Sequence, residues 1–185
     1  NINVKIYNNT ITKIPYGGSY PGENGWDFAV ELWNCQGGVE IYNNEIIGGA
    51  IDIDRTENPY SMPYSTWIHH NNIYNQVSNN NTEDGIILEC YGVGQHDVIV
   101  ENNIIWNKSK AIIFSLRNAT SSSNVTIRNN LMYNIGRIAD GNDGFGIVVA
   151  WDDMNNVTHT FNGLYIRNNT IIAYPGKAPW YGIRI

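Results

Sequence analysis

Apolar and polar residues alternate along six short segments that share a cassette of the form V-x-I-x-N-N-x-I. Each cassette opens with an apolar–variable–apolar–variable run, and this period of two is typical of a β-strand. A polar pair, nearly always Asn-Asn, follows before a second apolar run begins. The cassettes span residues 4–11, 39–46, 66–73, 98–105, 125–132 and 164–171. Each cassette therefore predicts a strand, a turn and a second strand.

A second kind of strand lies between the cassettes. It starts with a small residue and places two apolar side chains on one face. Its six copies are residues 29–32, 50–53, 85–88, 111–114, 146–149 and 182–185. No segment of useful length shows the i, i+3, i+4 spacing of an amphipathic helix. The chain is therefore predicted to be all-β.

The second asparagine of the cassette recurs at intervals of 27 to 39 residues, at positions 9, 44, 71, 103, 130 and 169. A constant unit with variable connections indicates a solenoid, in which each coil stacks only on its neighbours. Asparagines at such a turn can hydrogen-bond from one coil to the next. In this cassette the sequence resembles the right-handed parallel β-helix superfamily that includes pectate lyases. The resemblance implies a right-handed parallel β-helix solenoid of about six coils with variable loops.

Composition favours a single folded domain over residues 1–185. Hydrophobic residues make up 42% of the chain and charged residues only 15%, which is incompatible with disorder. The formal charge of −6 with scattered basic residues argues against a nucleic-acid partner, which needs a basic stripe. No apolar run approaches the roughly 20 residues of a transmembrane helix, so no membrane partner is expected.

Because the chain starts without Met and both ends lie on strands, we expect it to be excised from a larger modular protein.

The outward positions of the second strand type form two columns of side chains. In coil order they read Glu31, Asp52, Ile87, Ile113, Val148, Arg184 and Trp33, Asp54, Glu89, Ser115, Ala150. Adjacent coils lie ~4.8 Å apart. Asp54 and Glu89 would therefore be neighbours, with Asp52 and Trp33 close by. This cluster is either a polar binding site or a solvated acidic face.

Tyrosine and tryptophan are abundant, with 12 and 6 copies against 4 phenylalanines. Such rings suit wet binding surfaces because they combine an apolar body with a polar edge. Stacking on sugar rings, with carboxylates as hydroxyl acceptors, predicts carbohydrate binding. The candidate residues of the first site are Trp33, Asp52, Asp54, Glu89, Trp67, Tyr91 and Trp151. Tyr74, Trp106 and Tyr133 form a rival platform, unless these rings pack under a loop or in the core.

The cysteines and one acidic loop offer other chemistry. Cys35 and Cys90 fall two coils apart, roughly 9–10 Å by the coil rise. A disulfide needs Cα atoms within about 7 Å, so two free thiols are predicted. Asp140, Asn142 and Asp143 resemble part of a calcium loop that lacks its distal glutamate, or an ordinary turn. No cofactor is expected.

His70 stands in an asparagine slot of the third cassette. We interpret it as a substitute for asparagine in the ladder rather than as a zinc ligand, because no partner motif accompanies it.

Three functions of different classes remain open. Asp52, Asp54 and Glu89 could supply the two carboxylates of a glycosidase or act in a polysaccharide lyase, although no Gly-His-Gly motif accompanies them. The short β-helix, its aromatic content and its acidic charge resemble the small β-helical modules of carbohydrate-binding module family 89, which bind xylan. That resemblance implies a non-catalytic module that binds a plant cell-wall polysaccharide, with xylan or a related β-glycan as the first candidate. It also implies that the module is covalently linked to a catalytic domain, in a secreted or extracellular bacterial protein that takes part in plant cell wall degradation. A structural or adhesive solenoid segment is the third alternative.

Overall fold

In a computed structural model, the chain forms six successive coils, each of which contributes one strand to each of three parallel sheets. The structure describes residues 3–13, 28–36, 38–57, 64–75, 84–90, 94–116, 121–136, 144–151, 159–176 and 180–185. These residues contain no helix long and apolar enough to cross a membrane. The predicted all-β, parallel β-helix solenoid of about six coils is confirmed.

The first two sheets come from the two halves of the cassettes. The first sheet contains β1 (Val4–Tyr7), β4 (Val39–Tyr42), β7 (Thr66–His69), β10 (His96–Glu101), β13 (Ser121–Arg128) and β16 (Thr160–Arg167). The second sheet contains β2 (Thr10–Thr12), β5 (Glu45–Ile47), β8 (Asn72–Tyr74), β11 (Ile104–Trp106), β14 (Leu131–Ile135) and β17 (Thr170–Ala173). Each cassette is thus a strand, a tight turn and a second strand, as its pattern predicts.

The third sheet is built from the second strand type. It contains β3 (Phe28–Gln36), β6 (Ala50–Glu57), β9 (Asp84–Glu89), β12 (Lys110–Ser115), β15 (Gly144–Trp151) and β18 (Trp180–Arg184). A register shift after Phe114 places Ser115 opposite Trp151. The predicted column that continued from Ser115 to Ala150 is therefore wrong by one residue, because an irregularity in the pairing breaks the strict alternation.

The inward side chains of the three sheets form one continuous hydrophobic core. Ile41 and Ile68 from the first sheet, Ile73 from the second, and Ile86 and Leu88 from the third are all fully buried. β-Branched residues dominate this core, as expected for parallel strands that are covered by neighbouring coils. The first and third cassette positions therefore point inward, as predicted.

The second asparagine of each cassette forms a buried ladder along the stack. The Oδ1 of Asn103 accepts both the backbone N–H and the Nδ2 of Asn71, each at 3.0 Å. The Nδ2 of Asn103 in turn donates to Asn130 Oδ1 and to the carbonyl of Ile68, both at 3.0 Å. The four interior coils repeat this pattern, which satisfies backbone groups that the tight turn would otherwise leave unpaired. The coil-to-coil ladder is confirmed.

The first asparagine of the pair has a different role, since its backbone is left-handed. Its φ lies between 52° and 56° in the five cassettes that have asparagine there, and His70 in the third cassette has φ 55°. Asparagine and, less often, histidine tolerate this conformation. His70 therefore replaces the turn residue, whereas the ladder position of its coil is held by Asn71. The interpretation of His70 as a member of the ladder is wrong.

A further asparagine row, which the cassette pattern does not predict, follows the second sheet. Asn75, Asn107 and Asn134 have φ between 53° and 58°, and Gly48 has φ 87° at the same turn of its coil. Asn107 donates to Asn75 at 3.2 Å, and Asn134 donates to Asn107 at 3.3 Å. Much of the asparagine content therefore serves the scaffold.

Both cysteines are free thiols and buried, which confirms that prediction. Burial raises the pKa of Cys35 and raises the pKa of Cys90 to about 12.

Candidate functional site

The predicted acidic cluster exists on the third sheet. Asp54 lies directly opposite Glu89, and Trp33 lies opposite Asp54 on its other side. Asp52, Asp54 and Glu89 are only 1%, 2% and 5% exposed. Trp33 is 55% exposed and donates its Nε1 to Glu31 Oε1 at 2.6 Å. The predicted register is therefore confirmed. The alternative interpretation, a solvated acidic face, is wrong because these three carboxylates are buried.

The acidic cluster lies among other buried side chains of the third sheet. The outer face of the third sheet carries a second apolar cluster of Ala50, Ile87, Ile113, Phe145 and Val148. A buried ion pair lies on the same face, with Lys110 Nζ 3.7 Å from Asp84 Oδ1. The middle of this face is therefore buried, and its carboxylates are not accessible to a glycan in this conformation.

The rival aromatic platform lies on the outer face of the second sheet, not in the core. The rings of Tyr74 and Trp106 stack at 4.5 Å and 8°, and those of Trp106 and Tyr133 stack at 5.5 Å and 5°. Tyr74 Oη donates to Glu45 Oε1 at 2.8 Å, and Trp106 Nε1 donates to Asn72 Oδ1 at 3.1 Å. The Tyr74 bond to Glu45 raises the pKa of the phenol.

The geometry of this ladder limits what it can bind. Sugar rings stack on the faces of aromatic rings, whereas here the ring faces are used in mutual stacking along the coil axis. The middle ring, Trp106, has both faces covered by Tyr74 and Tyr133. The second sheet therefore presents mainly ring edges, which suit a glycan less well than open faces.

Several predicted residues cannot be placed. Tyr91 lies outside the described residues, as do the calcium candidates Asp140, Asn142 and Asp143. The backbone of Trp151 ends β15, but its side chain lies outside the described part of the chain. Within the ranges that the structure describes, no group of three or more His, Cys, Asp or Glu side chains could hold a metal ion.

The outer face of the first sheet carries the most varied chemistry. The second and fourth positions of the cassettes point outward there and form two columns across the coils. In coil order these columns are Lys5, Glu40, Trp67, Ile99, Thr126, Tyr165 and Tyr7, Tyr42, His69, Glu101, Arg128, Arg167. We refer to this surface as the polar–aromatic face.

Aromatic rings occupy the N-terminal coils of the polar–aromatic face. Tyr7 stacks on Tyr42 at 4.9 Å, and Tyr42 stacks on His69 at 5.1 Å, each with an interplanar angle of 4°. Trp67 leans against His69 at 4.0 Å with a 32° tilt, and Tyr64 packs on Trp67 at 5.2 Å with a 58° tilt. The tilted rings do not form a closed stack, and Tyr7 at the end is 47% exposed. Open aromatic surface therefore remains here.

Two glutamates are held among these rings by charged and polar partners. Glu40 lies 2.6 Å from Lys5 Nζ and 3.3 Å from His69 Nε2. Burial opposes its ionisation, but the bonds and charges of Lys5 and His69 outweigh burial and lower the pKa of Glu40. Glu101 accepts from Trp67 Nε1 at 3.0 Å and from Arg128 Nε at 2.6 Å.

The pKa of Glu101 is also set by burial acting against its hydrogen bonds. Burial opposes its ionisation, but the bonds from Arg128 and Trp67 outweigh it and lower the pKa of Glu101. Both glutamates are therefore ionised acceptors at neutral pH.

His69 connects the rings to the charges. Burial lowers its pKa, and the bond to Glu40 only partly offsets this, so His69 is neutral at pH 7. Because a carboxylate can only accept, Nε2 of His69 carries the proton toward Glu40. Its bare Nδ1 then accepts from Nδ1 of His70, 2.8 Å away. The backbone turn of the third cassette thereby fixes the orientation of this ring.

Of this face, only Trp67 was among the predicted binding residues. The signal for the rest was available, since reading the second and fourth cassette positions coil by coil yields these columns directly. The three tryptophans Trp33, Trp67 and Trp106 fall on three different sheets. The structure therefore distributes the described candidate residues over three surfaces, of which the third sheet brings Trp33, Asp54 and Glu89 together as predicted.

Comparison with known proteins adds one finding. The model of a family described as disaggregatase related matches residues 37–178. No curated protein and no solved structure matches the chain.

Proposed function

We propose that this chain, which belongs to the disaggregatase-related family, is a non-catalytic module that binds a polysaccharide along its polar–aromatic face. One observation carries the proposal. The exposed ring of Tyr7 and the partly exposed ring of Trp67 lie on the same sheet face as the ionised carboxylates of Glu40 and Glu101. Apolar ring faces for sugar rings and fixed acceptors for hydroxyl groups are the two components of a glycan site.

The solenoid geometry supports a polymeric ligand. The polar–aromatic face extends across all six coils at ~4.8 Å per coil, so it offers similar groups at regular intervals. A linear glycan also repeats a similar chemical group at regular intervals. The family name refers to a disaggregatase. A polymer that holds an aggregate together would also be a long, repeating ligand.

Xylan is the first candidate glycan. The net charge of −6 repels a continuous polyanion such as pectin or alginate, whereas a neutral or weakly decorated β-glycan carries no such penalty. In this proposal the module is covalently linked to a catalytic domain of a secreted or extracellular bacterial protein.

The pKa directions support binding over catalysis on this face. A glycosidase needs one carboxylic acid that stays protonated at working pH. The pKa values of Glu40 and Glu101 are both lowered, so neither is suited to that role. The adjacent pair Asp54 and Glu89 remains the second candidate, as a hydrolase or lyase site.

Affinity electrophoresis against xylan, pectin, alginate and cellulose, with reducing-sugar release measured in parallel, tests the proposal. We expect retardation by xylan without product. Trp67→Ala should weaken the interaction roughly tenfold, a change of ~1.4 kcal/mol. Tyr7→Ala should have a similar effect, and the exposed Tyr7 ring can be removed without disturbing the core. Trp106→Ala and Trp33→Ala are the matched controls on the other two sheets and should bind as the wild type does.

Two results would contradict the proposal. Product release that Glu89→Gln abolishes would assign catalysis to the third sheet. Absence of retardation by every glycan would leave a structural or adhesive segment.

A further inference from the structure

Two arginines lie opposite each other at the C-terminal end of the polar–aromatic face. Arg128 of β13 and Arg167 of β16 are register partners in adjacent coils, at the ~4.8 Å spacing of neighbouring strands. Arg167 is exposed and Arg128 is partly exposed. Like charges directly opposite each other in a sheet destabilise it. The juxtaposition therefore favours a compensating anion.

The protein supplies only part of that compensation. Glu101 bonds Nε of Arg128 with one oxygen and Nε1 of Trp67 with the other, so its acceptor oxygens are already engaged. Arg167 makes no ion pair within the described part of the chain. The other outward column beside these arginines contains Ile99, Thr126 and Tyr165 and no Asp, Glu, Lys or Arg. Among the described residues, one positive charge therefore remains uncompensated at this end of the face.

Tyr165 provides an aromatic surface beside the arginines. It precedes Arg167 by two residues in β16, points to the same side and is 55% exposed. Its ring packs over Gly163, where a Cβ atom would lie 3.2 Å from Cε2. Gly163 has φ 90°, so the ring occupies space that only glycine leaves open. Unlike Tyr7 and Tyr42, it stacks on no other ring among the described residues.

We propose that Arg128, Arg167 and Tyr165 form a subsite for an anionic substituent of the bound polysaccharide, a uronate carboxylate or a sulfate ester. The inference rests on the proposed function and specifies the ligand class of the same face. A guanidinium group presents paired N–H donors that match a carboxylate or sulfate, and the Tyr165 ring can pack against the sugar that bears it.

The overall charge restricts the kind of anionic ligand. With a net charge of −6, the protein does not attract a polyanion from a distance. The arginines act at contact, within the ~8 Å Debye length of physiological salt. The subsite therefore suits a backbone with sparse anionic substituents better than a polymer with a charge on every sugar.

Affinity electrophoresis of the full chain in glucuronoxylan and in the same polymer after carboxyl reduction tests the subsite. We expect the native polymer to bind about tenfold more tightly. Arg167→Gln should remove that preference without changing the affinity for the reduced polymer. Arg184→Gln, which removes an exposed arginine from the third sheet, is the matched control and should keep the preference.

Each outcome has one meaning. Two outcomes would overturn the subsite but not polysaccharide binding. One is equal retardation by the two polymers, and the other is a preference for the native polymer that persists in Arg167→Gln. Absence of retardation by either polymer would overturn both. A preference for the native polymer that Arg167→Gln abolishes would support the subsite and assign a uronate carboxylate as its anion. Because Arg167 is exposed, circular dichroism of the variant should match that of the wild type.

Discussion

Removal of one rung from the middle of the asparagine ladder is the sharpest test of what holds the coils together. The side chain of Asn103 is 1% exposed and takes part in five hydrogen bonds to other groups. Asn103→Ala deletes all five. It also leaves the buried backbone N–H of Asn71 with no other acceptor among the described residues.

The expected loss follows from these bonds. A buried hydrogen bond contributes about 1 kcal/mol net. Because the two protons of Nδ2 are shared among three acceptors, the side chain makes about four full bonds, and these together with the unpaired N–H of Asn71 amount to roughly 5 kcal/mol. That is a large share of the 5–15 kcal/mol by which domains are ordinarily stable. For a chain of this length each kcal/mol lowers Tm by about 2–4 °C, so Asn103→Ala should lower Tm by roughly 10–20 °C.

The matched control is Asn9→Ala at the end of the same ladder. Asn9 is exposed, and within the described residues its side chain makes only two bonds, to Tyr7 O and Asn44 Oδ1, both at 3.0 Å. Water can replace both, so the expected loss is about 1 kcal/mol. Thermal unfolding followed by circular dichroism compares the two variants. A Tm for Asn103→Ala no lower than that of Asn9→Ala would refute the energetic role of the ladder.

Three further predictions concern single groups. His70→Asn should leave Tm unchanged because asparagine tolerates φ 55°, whereas His70→Val should lose about 1–2 kcal/mol in urea titrations; equal stability would contradict the left-handed turn. Because the pKa of His69 is lowered, the unfolded chain binds more protons, so stability present above pH 6.5 should fall as pH drops. It should fall again below pH 4.5 through Glu40 and Glu101. Urea midpoints measured against pH should show that the loss of stability below pH 6.5 disappears in His69→Gln. If that loss persists in the variant, it does not come from His69. The Cys90 thiol, with a pKa raised to about 12 by burial, should react with a disulfide reagent only on unfolding; rapid labelling of the native protein at pH 8 would show that it is accessible.

The fold was predictable because its information is local and repeated. Alternation at Ile41 and Ile68 marks the inward face of each strand, and the fixed Asn-Asn pair marks each turn. Six copies of the same pattern leave few alternatives to a stack of coils. The deviations arose where the repeat is imperfect, as at the irregularity after Phe114 and at His70.

The site was less predictable because burial depends on what covers a surface. The register of Asp54 and Glu89 follows from the cassette spacing, but their burial depends on the packing on the outer side of the third sheet. Likewise, the sequence places Tyr74 and Trp106 in one column without showing that their faces stack on each other. The pairing of Glu40 with His69 joins residues 29 apart in the chain, and only alignment of the second and fourth cassette positions across coils would have indicated it.

One spectrum tests the central claim, that a glycan binds the polar–aromatic face. Among the described side chains, each sheet carries one tryptophan with a defined indole partner: Trp67 on the first, Trp106 on the second and Trp33 on the third. Titration of the ¹⁵N-labelled protein with xylan oligosaccharides should produce a saturable shift of the Trp67 indole resonance, assigned with Trp67→Phe. The Trp106 and Trp33 resonances should stay in place. A shift of either of these with Trp67 unmoved, or no shift of any of the three, would contradict the account.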